Sequence, residues 1–416
     1  MAEAATYGDY VKLCAGQGLS NVGSAITGFA LPLLALSLTG SSLGLGVVSA
    51  AYWLPLPVLG PLAGALVDRW DRKRSMIGCD VLRMALLASV PVLGATGLLT
   101  FWWLCGVAFG ASVLTNLFNA AQLSVLPRLV PPERLAGANA QFQAAITLGT
   151  VAGPLLAGAL VVVLPLSSML AIDAASFAIS ALSLASIGVS FRLAGPATGR
   201  GLAVEAAQGL RYVMGHPVLR LISLMMAINN FFCLTVFAQI VLYAGGTLGY
   251  SRQGIGLLLA AGGVGVVVST SLAGRLRARF PFATVMLGAL VAWGAAIILL
   301  ALAPRGWLAV PIWAAVAGAP ILFNSCTAYL RQRLVPEGML GRANAIAAVL
   351  ALSPAAVGVL AGGAVIARTG MPRLVFGVIG VVVILCAAVF SRTRLGTVSP
   401  DHPVAAEARA AAVGGA

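Results

Sequence analysis

Three ionisable residues sit inside long apolar runs. Asp173 lies about six residues into the run 167–190, and Asp80 and Arg83 lie one helical turn apart near the start of the run 75–98. A carboxylate as deep as Asp173 is desolvated and is a candidate proton carrier, or else it caps or bonds a neighbouring helix. The spacing of Asp80 and Arg83 suits an ion pair that supports the charged segment just before it. That segment, Asp68 to Arg74, places six ionised residues in seven directly after an apolar stretch.

Uncharged polar residues form a second set. Gln17, Ser20, Asn21 and Ser24 share one face of the first apolar run, and Ser112, Thr115, Asn116, Asn119 and Gln122 share one face of the fourth. Asn139, Gln143, Thr147 and Thr150 follow in the fifth, Asn229 and Gln239 in the seventh, and Asn324 and Thr327 in the tenth. Lipid penalises such groups, so they are expected to face a water-filled path or each other. With Trp53, Phe118, Phe231 and Phe232 they would line a central cavity suited to a bulky, amphipathic, largely uncharged small molecule. Gln17, Asn21, Ser24, Trp53, Asn116, Asn119, Gln143, Asn229, Gln239 and Asn324 are the candidate binding residues.

Little else offers covalent chemistry. The two histidines are His216 and His402, and the six cysteines show no ligand spacing and no loop framework for disulfides. They read as small apolar packing residues. No Gly-rich loop followed by Lys offers a nucleotide-phosphate site. No enzyme activity, cofactor or resident metal is expected.

The elements that must position these groups follow from composition. The chain is 60% hydrophobic and 9% charged, whereas soluble domains carry about 25% charged residues. Twelve apolar spans are expected, roughly 13–37, 43–67, 75–98, 101–124, 139–163, 167–190, 219–244, 253–275, 283–303, 307–330, 343–367 and 373–391, each long enough for a hydrocarbon core of about 30 Å. The N-terminus lacks a basic region followed by a cleavage site, so the first span is expected to be retained. The segment 191–218 reads as a linker with an amphipathic helix between a six-helix bundle, 1–190, and a second, 219–392, with a flexible tail at 393–416.

The net charge of +14 does not point to nucleic acid, because the cations cluster between apolar spans. With both ends inside, inner segments hold 20 of the 25 Lys and Arg, outer loops hold Arg252, Arg305, Arg368 and Arg373, and Arg83 lies within a span. An even number of helices with cytoplasmic termini gives that asymmetry.

An internal repeat sets the architecture. "NAAQLSVLPRLVPPERLAGANA" (119–140) aligns without a gap to "NSCTAYLRQRLVPEGMLGRANA" (324–345), with nine of 22 positions identical and an offset of 205. Gly153/Gly358 and Gly158/Gly363 continue the register. Two parallel six-helix repeats follow, giving an all-α integral membrane protein of 12 transmembrane helices in two pseudo-symmetric halves.

The stretches "GQGLSNVGSAITGFALPLLALSLTGS", "GALVDRWDRKR", "CDVLRMALL", "IDAASFAISAL" and "EAAQGLRYVMGHPVLR" resemble the major facilitator superfamily, in particular its bacterial branch of enterobactin exporters and macrolide-efflux proteins. The resemblance covers essentially the full length. It implies that Gly64, Asp68, Arg69 and Arg72 form the loop between the second and third helices. Asp68 would face the N-terminus of the eleventh helix, near Arg342 to Asn344, and latch the halves on the cytoplasmic side; Asp80 and Arg83 would support that loop. "GTVAGPLLAG" resembles the antiporter motif: Gly149, Gly153 and Gly158 thin one side of the fifth helix, Pro154 bends it, and close packing against the eighth helix is expected. An Arg in the fourth helix and an Asp in the first, found in drug–proton antiporters, are missing here.

The implied function is a secondary active exporter of an amphipathic drug, siderophore or secondary metabolite by alternating access, with proton antiport through Asp173. The alternative is an importer or lipid-handling facilitator of the same fold. The expected partners are a small-molecule substrate, protons and membrane lipid, with no nucleic acid. A monomer in the bacterial cytoplasmic (inner) membrane is expected.

Overall fold

The computed structural model describes residues 7–55, 59, 70–122, 125, 129–131, 134–188, 202–304 and 306–398. Among them every regular element is a helix. The chain divides into two compact units, Met1–Leu202 and Ala203–Ala416.

The first unit contains α1 (Tyr7–Thr39), α2 (Ser42–Trp53), α3 (Arg72–Ala95), α4 (Phe101–Gln122), α5 (Leu135–Val163) and α6 (Leu166–Ala185). The second contains α7 (Leu202–Gly215), α8 (Pro217–Leu242), α9 (Arg252–Arg279), α10 (Phe282–Leu302), α11 (Ala309–Leu334), α12 (Glu337–Thr369) and α13 (Pro372–Ser391). A π-helical turn, Tyr243–Thr247, extends α8. Among the described residues ten helices are long and apolar enough to cross a membrane; α2, of 12 residues, covers the first part of the second expected span, and α5, of 29, covers the fifth.

Helix ends follow from local chemistry. Asp71 caps α3 by accepting from the Arg74 N–H at 3.0 Å, and Ser41 and Ser251 cap α2 and α9 in the same manner. Gly370 ends α12 in the left-handed region, at φ 64°, which glycine adopts without a Cβ penalty. The start of α12 departs from expectation: it begins at Glu337, ahead of Arg342. Pro336 occupies the N-cap at φ −58° and ψ 147°, a position that needs no N–H from it.

Four of the five main helix pairings of the first unit recur in the second, whereas the extensive packing of α1 on α6 has only a slight counterpart between α8 and α13. In the first, α1 packs on α5 and α6, α3 on α4 and α6, and α2 on α4. In the second, α8 packs on α12, α10 on α11 and α13, and α9 on α11. The repeat read from the sequence therefore reappears in the shared pairings.

Glycines make these pairings close. A Cβ on Gly149 would lie 2.8 Å from the Asn21 Cβ, and one on Gly153 would collide with that of Ala25. Gly149 and Gly153 of α5 thus lie against α1. A glycine face signals a close neighbour without naming it. At the repeat-equivalent position, a Cβ on Gly358 would run into the Phe231 carbonyl of α8. Gly294 and Gly380 cross backbone to backbone, a Cβ on either meeting the other's carbonyl oxygen at 2.6 Å.

The helix α7 docks on its own unit. Its Tyr212 hydroxyl donates to the Leu334 carbonyl at 3.2 Å, and Arg342 donates to the Gln208 amide oxygen at 3.1 Å. Val204, Leu210 and Met214 remain exposed.

Candidate functional site

The interior of the first unit holds a buried polar cluster drawn from four helices. On α6, Asp173, Ser176, Phe177 and Ser180 fall at i, i+3, i+4 and i+7, so they share one face. On α3, Asp80 and Arg83 are one turn apart, and α3 and α6 pack together. Asp80 and Asp173 are 0% and 1% exposed, and Arg83 is 4% exposed.

Each Asp80 oxygen has a donor. Arg83 Nη2 pairs with Oδ1, and the Ser180 hydroxyl donates to Oδ2 at 2.7 Å. Ser180 in turn accepts from Gln17 Nε2 of α1 at 2.9 Å. Arg83 Nη1 donates to Thr115 of α4 at 3.3 Å. The guanidinium lies over two rings, with Cζ 4.6 Å from the centroid of Phe118 and 4.2 Å from that of Phe177. Facing aromatic rings replace some of the hydration an arginine loses on burial.

Asp173 sits further along α6, beside the apolar Leu170, Ala174 and Phe177. The Ser176 hydroxyl donates to Asp173 Oδ1 at 3.0 Å. Gly23 of α1 makes room for this, since a Cβ there would lie 2.5 Å from Asp173 Oδ1. Tyr52 of α2 is within electrostatic reach of both Asp173 and Arg83.

The ion pair therefore joins α1, α3, α4 and α6 deep in the unit. Lys73 donates to the carbonyls of Ala185 and Ile187, and Lys12 to that of Ser186 at 3.2 Å. Both cations thus sit on carbonyls at the C-terminus of α6, the end where positive charge is favoured. Arg72 is buried at the start of α3. Gly64, Asp68 and Arg69 lie outside the described residues.

The candidate binding residues separate by environment. Gln17 is buried and points into the cluster, and Asn116 is buried with its Nδ2 on the Ser112 carbonyl of its own helix, at 2.9 Å. Asn21 is half-buried, donating to the Gln17 carbonyl at 2.8 Å. Ser24 and Trp53 are half-buried, Trp53 edge-on to Tyr52. Asn119, Gln143 and Asn324 are exposed. Asn229 and Gln239 of α8 are buried, and the Asn229 Oδ1 has no hydrogen-bond partner among the described residues. Gly149, Gly153 and Gly158 are buried in α5, whereas the side chain of Pro154 lies outside those described.

Sequence reasoning missed Ser176, Ser180, Phe177, Tyr52 and Gly23. The periodic placement of Asp173, Ser176 and Ser180 on one helical face was the available signal. Among the described residues no group of three or more His, Cys, Asp or Glu could hold a metal.

Comparison with known proteins fits this architecture. The chain is 31% identical over 180 residues to macrolide efflux protein A of Streptococcus pyogenes, covering 43% of this chain and 44% of that protein. It is 30% identical over 224 residues to the multidrug efflux pump Tap of Mycolicibacterium fortuitum, covering 49% and 52%. The chain thus spans about half the length of these curated relatives. Its fold matches the crystal structure of a D-xylose-proton symporter with a TM-score of 0.70 at 16% identity, covering 93% of this chain and 97% of that one. At that identity the likeness concerns the fold. A family model described as a transmembrane secretion effector matches residues 10–410, and the chain belongs to that family of the major facilitator superfamily.

Proposed function

We propose that the protein is a secondary active exporter that moves an amphipathic small molecule out of the cell by alternating access, in exchange for protons. What carries the reading is the family match over residues 10–410. Two curated relatives named for efflux support its direction. The pairings that recur in both units suit the repeated halves of an alternating-access transporter.

The side chains left half-buried or exposed, Asn21, Ser24, Trp53, Asn119, Gln143 and Asn324, are the proposed substrate contacts. Gln17 and Asn116 instead contribute to the order of the first unit. Asp173 is the proposed proton carrier. Asp68, with Gly64 and Arg69, forms the proposed cytoplasmic latch, and its proposed counterpart is the stretch Arg342 to Asn344. The cation distribution supports both termini in the cytoplasm, and the proposal places the protein as a monomer in the bacterial inner membrane.

The test is an accumulation assay with amphipathic dyes and macrolides in cells making the protein. Lower accumulation that a protonophore abolishes supports the proposal. Accumulation unchanged across such a panel, or raised by the protein, defeats it. Asp68→Ala should slow turnover while the protein still folds, and undiminished export would remove the latch.

A further inference from the structure

Among the described residues of the first unit, two carboxyl groups and one guanidinium lie deep within the helices, while the buried Asp9 and Arg72 sit at the starts of α1 and α3. Asp80, Arg83 and Asp173 are each at least 96% buried, with exposures of 0%, 4% and 1%. No residue of α5 is charged. On α1, Asp9 and Lys12 pair with each other, 3.3 Å apart, at the end that meets the α6 C-terminus. The described part of α2 contributes Tyr52, and α4 contributes Thr115 and Phe118.

With all three groups ionised, this interior would carry an uncompensated negative charge. An unpaired buried ion costs several kcal/mol, so such a site neutralises instead. The geometry says which acid does so. Asp80 holds Arg83 on one oxygen and the Ser180 hydroxyl on the other, the donor set of a carboxylate. Asp173 receives a hydroxyl from Ser176, and among the described residues no cation is in salt-bridge contact with it.

Arg83 nevertheless also bears on Asp173. Its guanidinium rests on Phe177, one turn along α6 from Asp173, and it acts electrostatically on Asp173. Its Nε has no hydrogen-bond partner among the described residues. The guanidinium is clamped by flat rings that permit sliding, not by a full set of directional bonds.

We propose that one proton and the Arg83 guanidinium trade places between two carboxyl groups: Asp173 holds the proton while Arg83 is on Asp80, and Asp80 holds it when Arg83 moves to Asp173. In the exchange the Asp173 O–H bond breaks and its proton passes to water. Asp80 takes a proton from water, and the guanidinium keeps its charge throughout. The cluster is neutral in both states, so neither requires a bare buried charge. Arg83 is a positioning residue that decides which acid is protonated. Assigning this proton to export rests on the proposed function, whereas its existence does not.

The test is infrared spectroscopy of the full-length protein in lipid nanodiscs at neutral pH. The readout is the C=O stretching band of a protonated carboxyl, identified by its shift in D2O. The wild type should show one such band, and Asp173→Asn should abolish it. Asp80→Asn should abolish it too, because Arg83 is then free to ionise Asp173. Arg83→Gln should double its intensity, because both acids must then be protonated. A wild type without the band, or a band that survives Asp173→Asn, overturns the proposal. So does Asp80→Asn retaining it or Arg83→Gln failing to increase it. If one of the α3 variants does not fold, the other decides. The spectra need no substrate: these bands without proton-coupled export would sink the export reading alone, and export without them would sink the cluster alone.

Discussion

The Ser180 hydroxyl of α6 donates to Asp80 Oδ2 of α3 across 2.7 Å, at a point where both residues are fully buried. That bond also orients Ser180 to accept from Gln17, so one hydroxyl ties three helices. Ser180→Ala leaves a buried carboxylate oxygen and a buried amide each short of a partner. A buried polar group left unpaired costs about 1–3 kcal/mol. The variant should unfold at lower temperature in detergent, and Ser180→Thr should recover part of the loss. A melting temperature unchanged in Ser180→Ala would show that the bond contributes nothing to stability.

The interhelical glycines give a graded prediction. A Cβ at Gly358 would enter the Phe231 backbone, and one at Gly153 would meet the Ala25 methyl. Gly106 and Gly288 have nothing within 4 Å of the added carbon. Gly358→Ala should therefore be the most destabilising, by about 1–3 kcal/mol from forced separation of α8 and α12. Gly153→Ala should follow, with Gly106→Ala and Gly288→Ala neutral or slightly stabilising, because alanine favours helix over glycine. Thermal unfolding of the four variants measures the order, and equal effects would refute the packing role.

The contrast between these glycines and Gln17 shows what the sequence made legible. Span positions were readable because apolar length is a one-dimensional property, and the repeat was readable because identity at a fixed offset needs no coordinates. Gly153 announced a close neighbour without naming it, and within the first unit it lies against Ala25 of α1. Gln17 was read as lining a cavity because its helical face also bears Asn21 and Ser24. Yet about one-ninth of a turn separates facing a neighbour helix from facing a cleft for residues four apart. The depth of Asp80 and Arg83 was similarly hidden. Their spacing predicts a pair, but the rings of Phe118 and Phe177 that enclose it come from helices far away in sequence.

Lys73 offers a test at the other end of α6. Its ammonium meets the Ala185 and Ile187 carbonyls, which have no partners further along the helix. Lys73→Met keeps the length of the side chain and removes the charge. The loss should be at the low end for a helix-end cation, about 0.5–1 kcal/mol, because Lys73 is only half-buried. The informative readout is hydrogen exchange, which should quicken at the last turn of α6 and the first turn of α3. Exchange unaltered there would show that Lys73 is merely a solvated, topology-setting charge.

His216 carries a pH dependence whose sign can be worked out. It is the N-cap of α8, its Nδ1 accepting from the Leu219 N–H at 3.3 Å, and it is 8% exposed. Burial holds its imidazole below the ordinary value of about 6.5. A cation there would lose the cap, since a protonated Nδ1 cannot accept, and would face the positive end of the helix dipole. Tyr212, whose ring centroid is 6.5 Å away, offers no compensating negative charge. The unfolded chain therefore binds this proton more readily than the folded one. Stability from His216 is fully present above the ordinary imidazole value and is lost as pH falls below it towards the depressed folded value. His216→Asn keeps a good N-cap but cannot titrate in this range. The melting temperature of the wild type should drop more steeply than that of His216→Asn between about pH 7 and pH 5. Parallel profiles would mean that His216 remains neutral, or equally protonated, in both states, and that the cap does not sense pH.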